Sequence, residues 1–552
     1  MDTIQVSFQN GHQISCPLGT SAETLIQHFP IPENFLAAVK VNKEIRPLSS
    51  RLEINALLEP VSLAAPEGEM IYRRSLAYLM AVAAWELFPN RVLQIGHSLG
   101  NSYYYTFVDE QAPTKAEVEE LKTQMQELVD EDLPIQSRYI AYQEALEWFE
   151  KNNQNFTALL LELKNDSQIQ INSCKGFMDL FIEPLVPRTS QLSSFDLMPY
   201  QGGLLLRFPG VGRGATLDPF EDSPGIFSVY EEYKKWGRIV GVYTVGHLNQ
   251  LVAKQSIRDF IQIAEAFQAN KIAEIANRIH QKGDSIKVIL IAGPSSSGKT
   301  ITAKRLSLQL QVLGIEPIAI SLDDYYLGKA FTPLDENGNP DYERLEALNV
   351  PYFNEQLLAL LNGEEITLPA YDFKTSESIK NGGKRIRLGR RSILIVEGIH
   401  GLNDALTYQI DRSVKFKLYL SALTQLNLDD HNRIPTSDNR LIRRIVRDYQ
   451  FRGSTAAKTI GMWPTVQEGE RKYIFPFQDS ADIAFNSALD YELAVLKYYA
   501  EPQLHLVKPG QAEFSEAKRL LAFLEHFTPI PPQLVPGNSI LREFIGGSDF
   551  EF

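Results

Sequence analysis

The sequence predicts a multidomain α/β protein whose C-terminal half holds a parallel sheet with helices on both faces. Three observations lead there. Short apolar runs at 288–292, 317–322, 393–396, 416–420 and 483–485 alternate with helical stretches that start at Lys299, Asn354 and Asn439. Strands joined by helices pair in parallel, and such sheets are buried on both sides. Residues 293–300 spell a glycine-bounded phosphate-binding loop, placed between the first apolar run and the first helix. Finally, 552 residues are too many for one ordinary domain and suit three or four.

The elements follow in order. Residues 1–62 alternate apolar and polar positions (Ile4, Val6, Phe8, then Ile14), with turn signals at Asn10-Gly11 and Leu18-Gly19. They read as a small strand-rich domain with one helix near 22–28. Residues 63–69, with Pro66 and Gly68, read as a linker. Residues 70–250 form a mixed α+β domain, with helices expected at 75–88 and 115–129 and strands at 158–163 and 203–208. A helical connector covers 251–283, with its helix at 256–280. The parallel-sheet domain spans 284–505, and 506–552 form a helix and a tail that includes Ile530-Pro531-Pro532 and 539–545.

Composition narrows the function classes. The chain is 44% hydrophobic and 22% charged, with 54 Lys and Arg against 68 Asp and Glu, a net charge of -14. That balance argues against broad nonspecific attraction to nucleic acid or anionic membranes. Two cysteines, Cys16 and Cys174, make neither a disulfide framework nor a thiolate metal cluster. No basic segment followed by an apolar one opens the chain, no run is apolar for long enough to cross a bilayer, and the C-terminal Phe-Glu-Phe offers no lipidation site. A cytoplasmic location without membrane contact is expected.

Gly293-Pro294-Ser295-Ser296-Ser297-Gly298-Lys299-Thr300 satisfies G-x-x-x-x-G-K-[ST] at every position. The glycines let backbone N–H groups turn inward around phosphate oxygens, and the next helix, through Ile301, offers its positive N-terminus. Lys299 would reach the β and γ phosphates and the Thr300 hydroxyl would ligate Mg²⁺, so ATP and Mg²⁺ are the expected cofactors. The second apolar run ends in Ser321-Leu322-Asp323-Asp324-Tyr325-Tyr326. Carboxylates at strand C-termini face the ligand crevice of an open parallel sheet. Asp323 could therefore take the proton of an attacking hydroxyl or hold a magnesium-bound water; Asp324 is the weaker candidate. Glu397, after four apolar strand residues and beside Gly398, suits a role around the metal. Arg440, Arg443, Arg444 and Arg447 share one helix face, with Arg452 and Gly453 following. They read as a lid over the transferring phosphate, although Arg443 could face a structural acid instead.

With these residues assembled, the region from 286 to 486 resembles the uridine kinase and phosphoribulokinase family of P-loop kinases, so the sheet is expected to be a P-loop NTPase sheet. The likeness rests on the phosphate loop, Ser-Leu-Asp-Asp-Tyr-Tyr, Leu368-Pro-Ala-Tyr371-Asp372-Phe373, Val396-Glu397-Gly398-Ile399 and the run from Asp438 to Asp448. It implies Asp323 as base, Lys299, Arg444, Arg447 and Arg452 on phosphates, Thr300 and Glu397 around Mg²⁺, and Tyr371 beside the acceptor. Asp341, Glu343 and Glu346 lie where the family places acids that bind ribose hydroxyls. Two positions depart from it: the pyrimidine-reading histidine is Ser376 here, and the arginine after the lid's Arg-Gly is Ser454. A kinase acting on a nucleoside hydroxyl, or on a related sugar metabolite, is implied, while uridine itself is not.

Residues 1–62 resemble a TGS domain, a β-grasp module, through Gly19-Thr20-Ser21, Ala37 to Asn42 and Glu59-Pro60-Val61. The next region is similar to the second additional domain of threonyl-tRNA synthetase, through Leu87-Phe88-Pro89, Ile95-Gly96, Asn101 to Phe107 and Asp179 to Pro187. In the synthetase that domain edits mischarged tRNA with His-x-x-x-His and Cys-x-x-x-His. Here the matching positions are Arg74, Tyr78, Phe181 and Leu185, which cannot supply imidazole or thiolate chemistry. A binding or scaffolding role is expected, with RNA contact through the N-terminal half as its test. Two classes thus stand: a small-molecule kinase, and an RNA- or ribosome-associated regulator that uses nucleotide binding as a switch. A guanine-reading Asn-Lys-x-Asp is missing after the loop, since Asn42-Lys43-Glu44-Ile45 lies far upstream.

Overall fold

The structure, a computed structural model, describes residues 2–29, 31–32, 35–335, 338–372 and 375–551. The chain opens with β1 (Thr3–Phe8), β2 (Gln13–Pro17), a short 3-10 helix (Ala22–His28), β3 (Leu36–Val41), β4 (Glu44–Arg46) and β5 (Ala56–Ser62). These strands form a mixed sheet in the order β2-β1-β5-β3-β4, with β1 parallel to β5. Val6, Phe8, Leu25, Val39 and Leu58 fill its core.

The helix α1 (Pro66–Leu87) starts inside the segment read as a linker. Pro66 stands in its first turn, where proline's fixed φ suits a helix and its missing N–H costs nothing, and Glu67 and Glu69 suit the positive helix end. There follow β6 (Leu93–Ser98), β7 (Ser102–Phe107), α2 (Lys115–Asp130), β8 (Gln136–Ala141), α3 (Tyr142–Lys151), α4 (Asn155–Leu161), β9 (Gln168–Cys174), β10 (Phe177–Leu180), β11 (Asp196–Tyr200) and β12 (Gly203–Arg207). They build two antiparallel sheets, β10-β9-β8 and β11-β12-β7-β6. The strand expected at 158–163 is instead α4. Its first turn is held by Asp430, whose carboxylate accepts from the N–H groups of Phe156 (3.1 Å) and Thr157 (3.2 Å). A helix cap borrowed from so far along the chain leaves no local sign.

Helices α5 (Pro224–Val240), α6 (Val245–Ala253) and α7 (Ile257–Gln281) lead to β13 (Val288–Ala292), α8 (Lys299–Val312), β14 (Glu316–Ser321) and α9 (Val350–Leu361). Two small ribbons follow, β15 (Ile366–Thr367) with β18 (Arg385–Ile386), and β16 (Ala370–Asp372) with β17 (Glu377–Ile379). The remaining elements are β19 (Ser392–Glu397), β20 (Lys415–Ser421), α10 (Thr436–Arg452), α11 (Ala456–Tyr473), β21 (Ile483–Asn486), α12 (Glu492–Leu504), α13 (Phe514–Leu524) and α14 (Arg542–Ile545). Helices α9 and α10 begin a few residues before the expected Asn354 and Asn439. Asn349 caps the first, accepting from the Tyr352 N–H, and α10 starts directly after Pro435.

The second half is built on a five-stranded sheet, β14-β19-β13-β20-β21, parallel throughout. Alternate residues of β13 face opposite cores. Ile289 and Ile291 pack with α7 and α8 (Ile275, Ile279, Leu306, Leu310), whereas Val288 and Leu290 pack with α9 (Phe353, Leu357, Leu360). Helices therefore cover both faces, as the unbroken apolar strands require. Among the described residues no helix is long and apolar enough to cross a membrane.

Candidate active site

At the C-terminal edge of the sheet, β13 runs into the phosphate loop and α8. Gly293 allows a close approach there, because a Cβ would lie 2.3 Å from the Leu420 carbonyl oxygen. Gly298 adopts φ +81° and precedes the first turn of α8 without a side chain to cap it, so that turn's N–H groups take no partner from their own N-cap residue. The Lys299 ammonium bends back across the loop to the carbonyls of Gly293 (3.0 Å) and Pro294 (3.1 Å). Burial lowers its pKa, opposed by the charges of Glu397, Asp323 and Glu543.

The strand-end acids meet it there. Ser321 and Glu397 are partners in the β14–β19 register. The Glu397 carboxylate accepts from the hydroxyls of Ser321 (3.1 Å) and Thr300 (3.4 Å). Asp323 sits in a single 3-10 turn, its N–H donating to the Ser321 hydroxyl at 3.3 Å. Burial pushes the Asp323 carboxyl above the usual range, against the pull of Lys299, Arg452 and Arg447. Burial, and then the neighbouring Asp323, push Glu397 up as well. Two half-buried acids beside a hydroxyl form a hard-oxygen set of the kind Mg²⁺ accepts while keeping several waters, so these residues fit the expected ion.

The arginines of α10 divide into two groups. Arg440 and Arg443 turn toward acids that the sequence reading did not assign. Arg440 forms a two-pronged pair with Glu470 of α11 (2.5 and 2.7 Å) and also donates to the Ser295 carbonyl (3.0 Å), while Glu470 accepts from the Ser295 N–H (2.8 Å). Arg443, fully buried, pairs with Glu492 of α12 and donates to the carbonyls of Ser296 (3.2 Å) and Ser487 (3.0 Å). These two arginines hold the phosphate loop from outside. Arg444 instead reaches the Ser295 hydroxyl at 2.7 Å, and it gathers with Arg447 and Arg452 around Asp448 (3.3, 3.1 and 3.5 Å). The charges of Arg447 and Arg452 favour the ionised form of Asp323.

Of the acids expected at the acceptor, Asp341 accepts from the Glu343 N–H at 3.1 Å. Burial and then Glu470 raise Glu343 to about 7, while Arg444 and Lys299 oppose the shift. Glu346 stands apart, largely exposed and paired with Arg344. Tyr371 is nearly buried, its ring 5.6 Å from that of Tyr326. The Ser376 side chain reaches Tyr371 and lies at φ 58°. Phe373 lies outside the described residues. Asp324 senses the Tyr371 backbone, and His400 is buried and held near 4 by its burial. Ser454 donates its N–H to the Asp448 carbonyl, just past Gly453 at the end of α10.

In the N-terminal half, Arg74 pairs with Glu183 at 2.7 Å, and the Tyr78 hydroxyl is buried without a partner. The space beside Arg74, Tyr78 and Leu185 is a cavity of about 20 Å³ that is also lined by His431, whose Nδ1 lies 3.2 Å from Asp179. Among the described residues no group of three or more His, Cys, Asp and Glu is placed to hold a metal ion, so an ion at the phosphate loop would have two carboxylates at most.

A glycine loop on a helix N-terminus, a lysine across it and acids at the strand ends make up a P-loop of the kind that binds phosphate. Residues 288–494 match the model of the Phosphoribulokinase / Uridine kinase family. Elsewhere the N-terminal region is similar to the threonine–tRNA ligases of Desulforamulus reducens (36% identity, 30% of this chain and 26% of that protein) and Symbiobacterium thermophilum (29% identity, 36% and 31%). The chain thus spans 26% to 31% of those relatives' length. Among solved structures, D-glycerate 3-kinase from Cryptococcus neoformans var. grubii is 16% identical, covering 48% of this chain and 87% of that one with a TM-score of 0.23.

Proposed function

We propose that the chain is an ATP- and Mg²⁺-dependent kinase that transfers the γ-phosphoryl group to a hydroxyl of a nucleoside, uridine- or cytidine-like, or of a related sugar metabolite. The observation that carries this reading is the convergence of Asp323, Lys299, the Thr300–Glu397 pair and the Arg444, Arg447 and Arg452 group on one phosphate loop. A hydrolytic switch needs no acceptor base, whereas a kinase does.

In this reading Asp323 takes the proton of the acceptor hydroxyl as its oxygen bonds to the γ-phosphorus and the bond to the ADP oxygen breaks. Burial makes Asp323 a better base than an exposed aspartate. Lys299 and the three arginines face the charge that spreads over the transferring oxygens. Thr300 and Glu397 would hold Mg²⁺, which supplies charge neutralisation at the phosphates. Asp341, Glu343 and Tyr371 line the acceptor side, and Ser376 leaves the base-reading position without an imidazole. The same reading divides the chain into a TGS-like β-grasp unit (1–62), a synthetase-like unit without editing chemistry (70–250), a helical connector (251–283), the kinase unit (284–505) and a C-terminal helix and tail (506–552).

The likeness to threonine–tRNA ligases favours a second reading, an RNA- or ribosome-associated regulator. The 20 Å³ space beside Arg74 and Tyr78 has no room for a tRNA terminus, which weighs against editing-type contact. The deciding experiment is an ADP-release screen with ATP and Mg²⁺ against nucleosides, pentoses and phosphorylated sugars, run beside RNA retention by the full chain at physiological salt. Acceptor-stimulated release supports the kinase; RNA retention with no stimulated release supports the regulator.

A further inference from the structure

The C-terminal segment does not trail away from the molecule but folds back onto the phosphate loop. The Glu543 carboxylate of α14 accepts from the backbone N–H of Ile301, 3.1 Å away and 242 positions earlier in the chain. Ile301 lies in the first turn of α8, beside Lys299 and Thr300, where the uncapped N–H groups and the helix dipole attract an anion. Gly298 cannot cap that turn itself, so Glu543 fills the vacancy with a carboxylate on the surface that would otherwise receive phosphate oxygens.

Several further contacts seat the segment there. Ile540 packs against the loop, its Cγ2 3.0 Å from the position a Gly298 Cβ would take. Phe544 lies beneath the Arg443 guanidinium, 4.9 Å from the ring centroid, and its carbonyl accepts from Gln450 of α10 at 3.5 Å. Lys304 of α8 donates to the Glu551 carbonyl. The segment is also tied within itself, since Arg542 donates to the carbonyls of Pro532 (3.2 Å), Pro536 (3.2 Å) and Gly546 (3.1 Å). The charge of Glu543 acts on Lys299 and Glu397, so the carboxylate lies within the field of the phosphate site.

We propose that the C-terminal segment is an autoinhibitory strap, in which Glu543 occupies a phosphate position on the first turn of α8 and ATP must displace it to bind. The proposal rests on the nucleotide-binding reading of the loop. Carboxylate and phosphate compete for the same N–H, and two anions in one place repel. The free chain is therefore divided between strapped and open states, and ATP affinity is reduced by the open fraction. A persistent helix cap would behave differently, because it would leave ATP affinity independent of residue 543.

The test is direct binding of ATP with Mg²⁺ to the full chain, by calorimetry, for wild type, Glu543→Ala and Glu543→Gln. Glu543 is half-buried and pairs through a single backbone bond, so these variants keep the fold. Losing a charge-assisted hydrogen bond from the competing state is expected to lower the Kd roughly tenfold in Glu543→Ala, with a smaller gain in Glu543→Gln. In wild type, amide hydrogen exchange across 536–551 is expected to rise when ATP saturates. An unchanged Kd in both variants, with ATP bound, overturns the strap and leaves the kinase reading intact. A weaker Kd also overturns it, making Glu543 a contributor to nucleotide binding. Exchange that stays level or slows on ATP addition overturns it independently of any substitution. No ATP binding by any of the three proteins overturns the strap and the nucleotide reading together.

Discussion

Arg443→Ala and Arg447→Ala lie one helical turn apart on α10, yet the structure assigns them opposite consequences. Arg443 is fully buried, and its guanidinium satisfies Glu492 and the carbonyls of Ser296 and Ser487. Removing it leaves the Glu492 carboxylate buried without its cation, a loss of about 3–5 kcal/mol. For a unit of this size each kcal/mol moves the midpoint by about 2–4 °C, so the transition should fall by roughly 10 °C. Arg447 shares Asp448 with Arg444 and Arg452, which keep that acid paired after the substitution. Arg447→Ala should cost about 1 kcal/mol or less in stability and lower kcat about 10²–10³-fold, the usual cost of losing one donor aimed at developing charge. The assays are differential scanning calorimetry of both variants and ADP release with the acceptor found by the screen. Arg443→Met combined with Glu492→Leu should recover most of the lost stability, because an apolar pair does not leave a charge stranded. A thermally normal Arg443→Ala that loses only activity would refute the division of the helix into loop-holding and phosphate-facing arginines.

Other outcomes follow from the same geometry. Lys299→Met should weaken ATP binding and reduce turnover by at least about 10²-fold without lowering the midpoint, read by calorimetry and ADP release. Glu470→Gln keeps one oxygen for the Ser295 N–H but sets an amide NH₂ against one arm of Arg440, and the loosened hold on the loop should raise KM for ATP while circular dichroism stays unchanged. At the junction of the two halves, burial would lower His431, but Asp179, Asp430 and Asp429 raise it from 6.5 to about 9. A raised histidine contributes stability that is full below pH 6.5 and is lost as the pH climbs through 9, on the order of 3 kcal/mol. Asp429, raised to about 7 by burial and then by Asp179, acts in the same direction, since the folded state again holds the extra proton. His431→Gln should therefore shrink the fall in midpoint between pH 6 and pH 9.5; an unchanged fall would remove the cluster from the account.

Local sequence carried the parts of the fold that depend on local physics. The run at 288–292 matches β13 residue for residue, because five buried apolar residues between a polar segment and a glycine loop allow little else. The segment at 158–163 misled for the opposite reason, since Ala158, Leu160 and Leu161 suit either a strand or a buried helix, and the Asp430 cap that decides it is remote. The Arg-rich face of α10 was legible as a face, but not its division. Glu470 and Glu492, which capture Arg440 and Arg443, come from later helices and carry no motif of their own. Glu543 was hidden in a tail without pattern, and only folding brings it to Ile301.

The central claim is that Asp323 serves an acceptor hydroxyl at a working phosphate loop. Its most direct test is Asp323→Asn, measured for ATP binding by calorimetry and for acceptor-stimulated ADP release in parallel. The account predicts an ATP Kd within about twofold of wild type and a kcat lower by about 10²–10⁴-fold, the range of general-base catalysis. Full turnover in Asp323→Asn would contradict it.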